Sequence, residues 1–195
     1  MYLIFLIVIA YTSRGELLSS IRKDLYTHKE KYKRDGSYKH YSGSILMAAI
    51  NPAFGLILSY RVYNYLYKSS NPVIRKLGIL IYYIASRRYS CDIHPASTIG
   101  SPLKIGHASD IIVGPLVEVG QNCYIFNGVS IGNKYVGEKD AMPKVGDNAI
   151  LGTGSKILGP CILGDSTTVG ALTLVIQSVS AGHTVTGVPG TTHKK

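Results

Sequence analysis

The sequence predicts a mainly β protein: a parallel β-helix wound from six-residue repeats over residues 93–190, preceded by an α-helical region over 1–92. Three observations carry this. Aliphatic residues recur at every sixth position in the second half, glycine commonly follows each of them, and the first half spaces its apolar residues helically instead. Charge and aromatic content change at the same boundary. Residues 1–92 hold 14 Lys/Arg against 5 Asp/Glu and 13 of the 15 tyrosines, whereas 93–195 hold 7 against 6. Nearly the whole net charge of +10 therefore lies in the first half.

The chain opens on "MYLIFLIVIAY", eleven uncharged and mostly apolar residues. That is too short to span a bilayer, and it lacks the basic start and cleavage site of a signal peptide, so it reads as a buried or membrane-contacting helix. "GELLSSIRKDLYTHKEKYKR" begins with an amphipathic turn and becomes strongly basic. In "SILMAAINPAFGLILSYRVYNYLYKSSNP", Leu58, Val62 and Leu66 fall one helical turn apart. "PVIRKLGILIYYIASRRY" reads as a further helix with the basic pairs Arg75/Lys76 and Arg87/Arg88 near its ends. The favoured reading is that these helices pack on each other and on the second region, with peripheral contact to an anionic membrane surface as the alternative. Nucleic acid is not expected as a partner, because no recognition motif accompanies the basic charge.

From Ile93 onward aliphatic residues stand at 93, 99, 105, then 113, 119, 125, 131, then 145, 151, 157, 163, 169 and 175. Glycine follows at 100, 106, 114, 120, 132, 146, 152, 164 and 170. Four residues after most of the aliphatics comes a small or β-branched side chain, including Ser97, Val117, Cys123, Ala149, Ser155 and Thr167. A single hexad cannot fold alone, because its one inward aliphatic needs neighbours above and below. Stacked into coils, the hexads form a continuous core. Residues 191–195 read as a solvated tail ending in Lys194 and Lys195. Cys91, Cys123 and Cys161 cannot all pair and form no CxxC, which points to a reducing compartment without a disulfide framework or zinc site.

The period breaks twice. Ile105 to Val113 is eight residues, and Ile131 to Val145 is fourteen, read as two hexads plus two. Insertions in a repeat protein bulge from one edge and commonly carry its site. The first break contains His107, which the regular core cannot bury cheaply and which is expected to point outward. The second forms the loop "GNKYVGEKDAMP". Asp92, in "DIHP", precedes His107 by close to one coil of three hexads, so the carboxylate falls beside the imidazole and would orient it.

With these features in place, the chain resembles the hexapeptide-repeat acyltransferases over 93–190, and more weakly in the helical region. The resemblance implies a left-handed β-helix, acetyl-CoA as co-substrate, no metal, a cytoplasmic enzyme, and a homotrimer in which donor and acceptor meet between subunits. "DIHPASTIG", "HASDIIVGPLVEVGQNCYIFNGVSIG", "MPKVGDNAILGTGSKILG" and "GVPG" follow the order and spacing of serine acetyltransferases. By that match His107 takes the place of the catalytic base and Asp92 that of its carboxylate partner. Gly132, Asn133, Thr153, Gly154 and Ala171 match positions along which acetyl-CoA lies.

Two positions depart from the pattern of the amino-acid-binding members. Gly106 stands where an Asp commonly precedes the histidine, and Ala141-Met142 where an Arg-His pair precedes the proline of the second loop. Loss of those charged partners leads to the expectation of a sugar O-acetyltransferase of surface polysaccharide synthesis, acting on a small-molecule or lipid-linked sugar at the membrane's inner face. Serine O-acetyltransferase of cysteine biosynthesis is the alternative, and a non-enzymatic solenoid scaffold the third reading.

Overall fold

The computed structural model describes residues 15–28, 30–32, 38–40, 51–135 and 141–194. The apolar stretch 1–11, the middle of the second loop and Lys195 lie outside the described residues. Helix α1 spans Gly15–His28, α2 Pro52–Tyr67 and α3 Pro72–Tyr89. The first half is not wholly helical. β1 (Glu30–Tyr32) and β2 (Tyr38–His40) pair antiparallel, with Tyr32 opposite Tyr38.

Both long helices start the same way. Asn51 and Asn71 are the N-caps: Asn51 Oδ1 accepts from Ala53 N at 2.9 Å and Asn71 Oδ1 from Val73 N at 2.9 Å. A proline follows each cap at the first helical position, where its missing N–H costs nothing. α2 and α3 pack closely at Gly78, where an added Cβ would stand 2.9 Å from the Tyr67 backbone nitrogen. Among the described residues no helix is long and apolar enough to cross a membrane.

The second half is a solenoid with three parallel sheets. One sheet runs β3 (Asp92–Ile93), β6 (Ile112–Val113), β9 (Ser130–Asn133), β12 (Lys156–Gly159) and β15 (Leu174–Val175). A second runs β4 (Thr98–Ile99), β7 (Glu118–Val119), β10 (Lys144–Val145) and β13 (Ile162–Leu163). The third runs β5 (Leu103–Ile105), β8 (Cys123–Ile125), β11 (Ile150–Leu151), β14 (Thr168–Val169) and β16 (His183–Gly187). It ends in β17 (Gly190–Lys194), antiparallel to β16, so most of the expected tail is strand.

Every aliphatic position of the hexad pattern, from Ile93 to Val175, is buried, as are the small positions Ser97, Cys123, Ala149, Ser155 and Thr167. The strand register measures the coils. Ile112 pairs with Ser130, and Lys156 with Leu174, each 18 residues on. Asp92 pairs with Ile112, 20 residues on, which puts two extra residues in the turn carrying His107. Ser130 pairs with Lys156, 26 residues on. The second break is therefore one hexad carrying an eight-residue excursion between β9 and β10, not two hexads plus two. A fourteen-residue interval alone does not say where the coil closes.

α2 closes the open end of the first coil, as the packing reading expected. Tyr60 Oη donates to Ser97 O at 3.0 Å, Tyr63 Oη to Ile93 O at 2.6 Å, and Asn64 Nδ2 to Pro95 O at 2.8 Å. Arg61 donates to the carbonyls of Ile99 and Gly100. The same guanidinium is paired with the buried Asp24 of α1 (Nε–Oδ2 2.8 Å), whose Oδ1 accepts from Leu103 N at 2.8 Å. Carbonyls that a further coil would have satisfied receive side-chain donors instead.

Candidate active site

The edge between the third and first sheets carries the turns 106–111, 126–129, 152–155 and 170–173, one per coil. Backbone hydrogen bonds stack them: Gly128 N to Ser109 O at 3.1 Å, Gly154 N to Asn127 O at 2.9 Å, Leu172 N to Thr153 O at 2.8 Å. His107, Thr153, Gly154 and Ala171 therefore lie on one edge, spread over about 14 Å at the usual strand spacing. Asp92 begins β3 at this same edge.

The His107 turn is well anchored. Ser109 N donates to His107 O at 3.0 Å, Asp110 takes a left-handed conformation (φ 53°), and its N–H donates to Ser90 O at 2.9 Å. Ala108 packs against the core, which leaves His107 exposed. Among the described residues the His107 side chain has no hydrogen-bond partner. The Asp92 carboxylate, also exposed, accepts from Tyr82 Oη at 2.6 Å. The structure brings His107 and Asp92 to one corner without a hydrogen bond between them.

Gly132 and Asn133 sit elsewhere, at the far end of β9, roughly 10 Å away along the strand direction. A Cβ added to Gly132 would meet nothing within 4 Å, so its backbone is open to close approach. The second loop leaves from this opposite edge, with Met142 packed against the core and Gly159 tight against the Ala141 carbonyl. Within one chain, His107 and the second loop occupy different edges of the first sheet.

Two features were not anticipated. One is Tyr82, which nothing in the sequence separates from other helix tyrosines. The other explains Gly106. Tyr124 and Phe126, on the adjacent coil, stack with ring centroids 4.4 Å apart, and a Cβ on residue 106 would stand 3.0 Å from Phe126 Cδ1. Aromatic rings occupy the place into which a side chain at 106 would project.

Burial pushes the thiols of Cys123 and Cys161 up to about 11, and all three cysteines are free and buried. They are core residues rather than nucleophiles. Burial lowers the pKa of His94, against the opposing charge of Asp92, and its Nδ1 accepts from Ala96 N at 3.0 Å. It holds the turn after β3. Among the described residues no three His, Cys, Asp or Glu side chains cluster as a metal site.

A three-faced solenoid whose repeat breaks to expose a histidine on one edge, below a helical cap, defines a hexapeptide-repeat acyltransferase fold. No protein-family model matches the chain. It is 31% identical over 186 residues to the serine acetyltransferase of Buchnera aphidicola subsp. Schizaphis graminum, covering 95% of this chain and 68% of that one. The Neisseria gonorrhoeae serine acetyltransferase in complex with serine superposes with a TM-score of 0.80 at 27% identity, covering 97% of this chain and 73% of that one. The Brucella abortus strain S19 serine acetyltransferase in complex with coenzyme A gives 0.80 at 27%, covering 97% and 71%. The chain belongs to the serine acetyltransferase family, and its fold is the left-handed β-helix with a preceding helical region expected for it. It spans 43%, 56% and 68% of the length of three curated relatives it matches.

These relatives overturn the expectation of a sugar acceptor in polysaccharide synthesis. Within the basic, Tyr-rich first half, Tyr60, Arg61 and Tyr63 are buried against the first coil.

Proposed function

We propose that this protein is a serine O-acetyltransferase that moves the acetyl group of acetyl-CoA to the serine hydroxyl. The observation that carries the reading is the placement of His107, exposed on the edge where the coil gains two residues, with Asp92 at the same corner. A family resemblance that spans the helical cap as well as the solenoid supports it.

His107 takes the hydroxyl proton as the serine oxygen attacks the thioester carbon. Collapse of the tetrahedral intermediate breaks the C–S bond, and the departing thiolate takes the proton back from the imidazolium. Asp92 orients the ring and stabilises its cation. Gly132 and Asn133 at one edge, and Thr153, Gly154 and Ala171 at the other, offer small residues and open backbone to a pantetheine chain. Because those groups lie on opposite edges of one sheet, the proposed site forms between copies, the second loop of one facing His107 of the next in a homotrimer. The proposed compartment is the cytoplasm, in keeping with three free, buried thiols.

The test is thiol release from acetyl-CoA with and without L-serine, with O-acetylserine identified as product. Serine-dependent release should fall by at least about a hundredfold in His107→Ala. Release that ignores serine, or that survives this substitution, would overturn the assignment.

A further inference from the structure

The carboxylate beside His107 is gripped from the helical cap. Tyr82, on α3, donates its hydroxyl to Asp92 Oδ1 at 2.6 Å. Its ring is edge-on to Tyr63 (5.6 Å between centroids), tilted against Tyr83 (5.0 Å) and 6.2 Å from the His94 ring. Burial first, then the hydrogen bond to Asp92, hold the phenol proton well above its ordinary range, so Tyr82 stays a donor at any working pH.

The other oxygen, Asp92 Oδ2, receives no hydrogen bond from a described residue. Two backbone bonds clamp the His107 turn alongside: Asp92 N to Ile111 O at 2.8 Å and Asp110 N to Ser90 O at 2.9 Å. Asp110, the other carboxylate on this corner, turns towards the next coil, its Oδ2 3.7 Å from a Cβ built on Gly128. His94 faces the Tyr82 ring, and the buried Cys91 thiol lies beneath the corner.

We infer that Tyr82 is a positioning residue for the His107–Asp92 pair, holding Asp92 Oδ1 so that Oδ2 stays free to accept from the imidazole and, once the ring turns to it, decides which ring nitrogen keeps its proton. This rests on the reading of His107 as base with Asp92 as its partner. Tyr82 touches no reacting atom. Its effect is to stop the exposed carboxylate from rotating through orientations in which neither oxygen reaches the ring, and so to couple the helical cap to the acid–base pair.

The test reads the tautomer of neutral His107 from its ring 15N shifts in the full chain, at about pH 9. A single tautomer is expected in the unaltered protein, and a mixture in both Asp92→Ala and Tyr82→Phe. Tyr63→Phe removes a neighbouring hydroxyl that, among the described residues, bonds only the Ile93 carbonyl, and should keep the single tautomer. In serine turnover, Tyr82→Phe should lower kcat roughly tenfold and leave KM within about twofold.

A tautomer unchanged in Tyr82→Phe, or a mixture already present in the unaltered protein, overturns the inference. The spectra need no acceptor and themselves report whether each variant is folded. Absent serine turnover with the tautomer response intact would strike the acceptor assignment alone. Turnover dependent on His107, with no response to Tyr82→Phe, would strike the role of Tyr82 alone.

Discussion

The solenoid and its cap are held together by different physics. In the solenoid each coil satisfies the next through backbone ladders, and the inward positions Ile93, Val113, Ile131, Ile157 and Val175 repeat one solution down the first sheet. Its interactions are nearest-neighbour, and the stability of such a stack is close to a sum over coils. The cap has no period. It is joined to the first coil by single side chains, Tyr60, Arg61, Tyr63, Asn64 and Asp24, each aimed at a particular backbone group 30 to 79 residues away. A repeat can lose one member and keep its neighbours, but a specific buried polar contact has no substitute.

The strongest test of this difference is Asp24→Ala. It removes the carboxylate that pairs with Arg61 and accepts from Leu103 N, leaving a nearly buried guanidinium without its counter-charge. Breaking one partner of such a pair costs about 3–5 kcal/mol. Denaturant unfolding of Asp24→Ala should show a loss of that size, with α2 losing amide protection before the central coils. A loss under about 1 kcal/mol, or equal loss of protection in every coil, would erase the distinction between cap and solenoid.

The opposite outcome is expected inside the solenoid. Ser155 Oγ is fully buried and, among the described residues, has no hydrogen-bond partner. It fills an inward small position of the hexad that alanine fills at Ala149 and cysteine at Cys161. Ser155→Ala should leave the fold unchanged and raise stability by up to about 1 kcal/mol, since it removes an unsatisfied polar atom and little volume. A measured destabilisation above that size would mean the hydroxyl has a partner and that inward positions are not interchangeable.

The same contrast explains what could be read from the sequence. The hexad positions were legible because every one answers to the same local demand, and both breaks in step showed as arithmetic. His107 was legible as a residue the period had to step around. The bond from Tyr82 to Asp92 was not legible, because it depends on the angle at which α3 enters the first coil. Gly106 was visible as a departure, but the Phe126 ring that lies against it was not. Those residues meet only because coil pitch and register set Lys104 beside Tyr124. Reading the second break as two hexads plus two failed for the same reason, since counting along the chain cannot say which strand a segment returns to.

The smallest effect lies at the junction between the two regions. His94 follows β3, with the rings of Tyr67 and Tyr82 6.4 and 6.2 Å away, and its Nδ1 accepts from Ala96 N. Burial lowers its pKa from 6.5, outweighing the Asp92 charge that would raise it. The unfolded chain therefore binds this proton more readily than the folded one. The stability that neutral His94 contributes is full above about pH 6.5 and is lost as pH falls through the lower folded value. Protonation would also place a hydrogen on Nδ1, where the Ala96 N–H now points. His94→Asn keeps an acceptor for that N–H and cannot titrate. Thermal midpoints taken from about pH 8 down to about pH 5 should fall less steeply in this variant than in the unaltered protein. Parallel curves would show that the junction is not where acid loosens the cap from the solenoid.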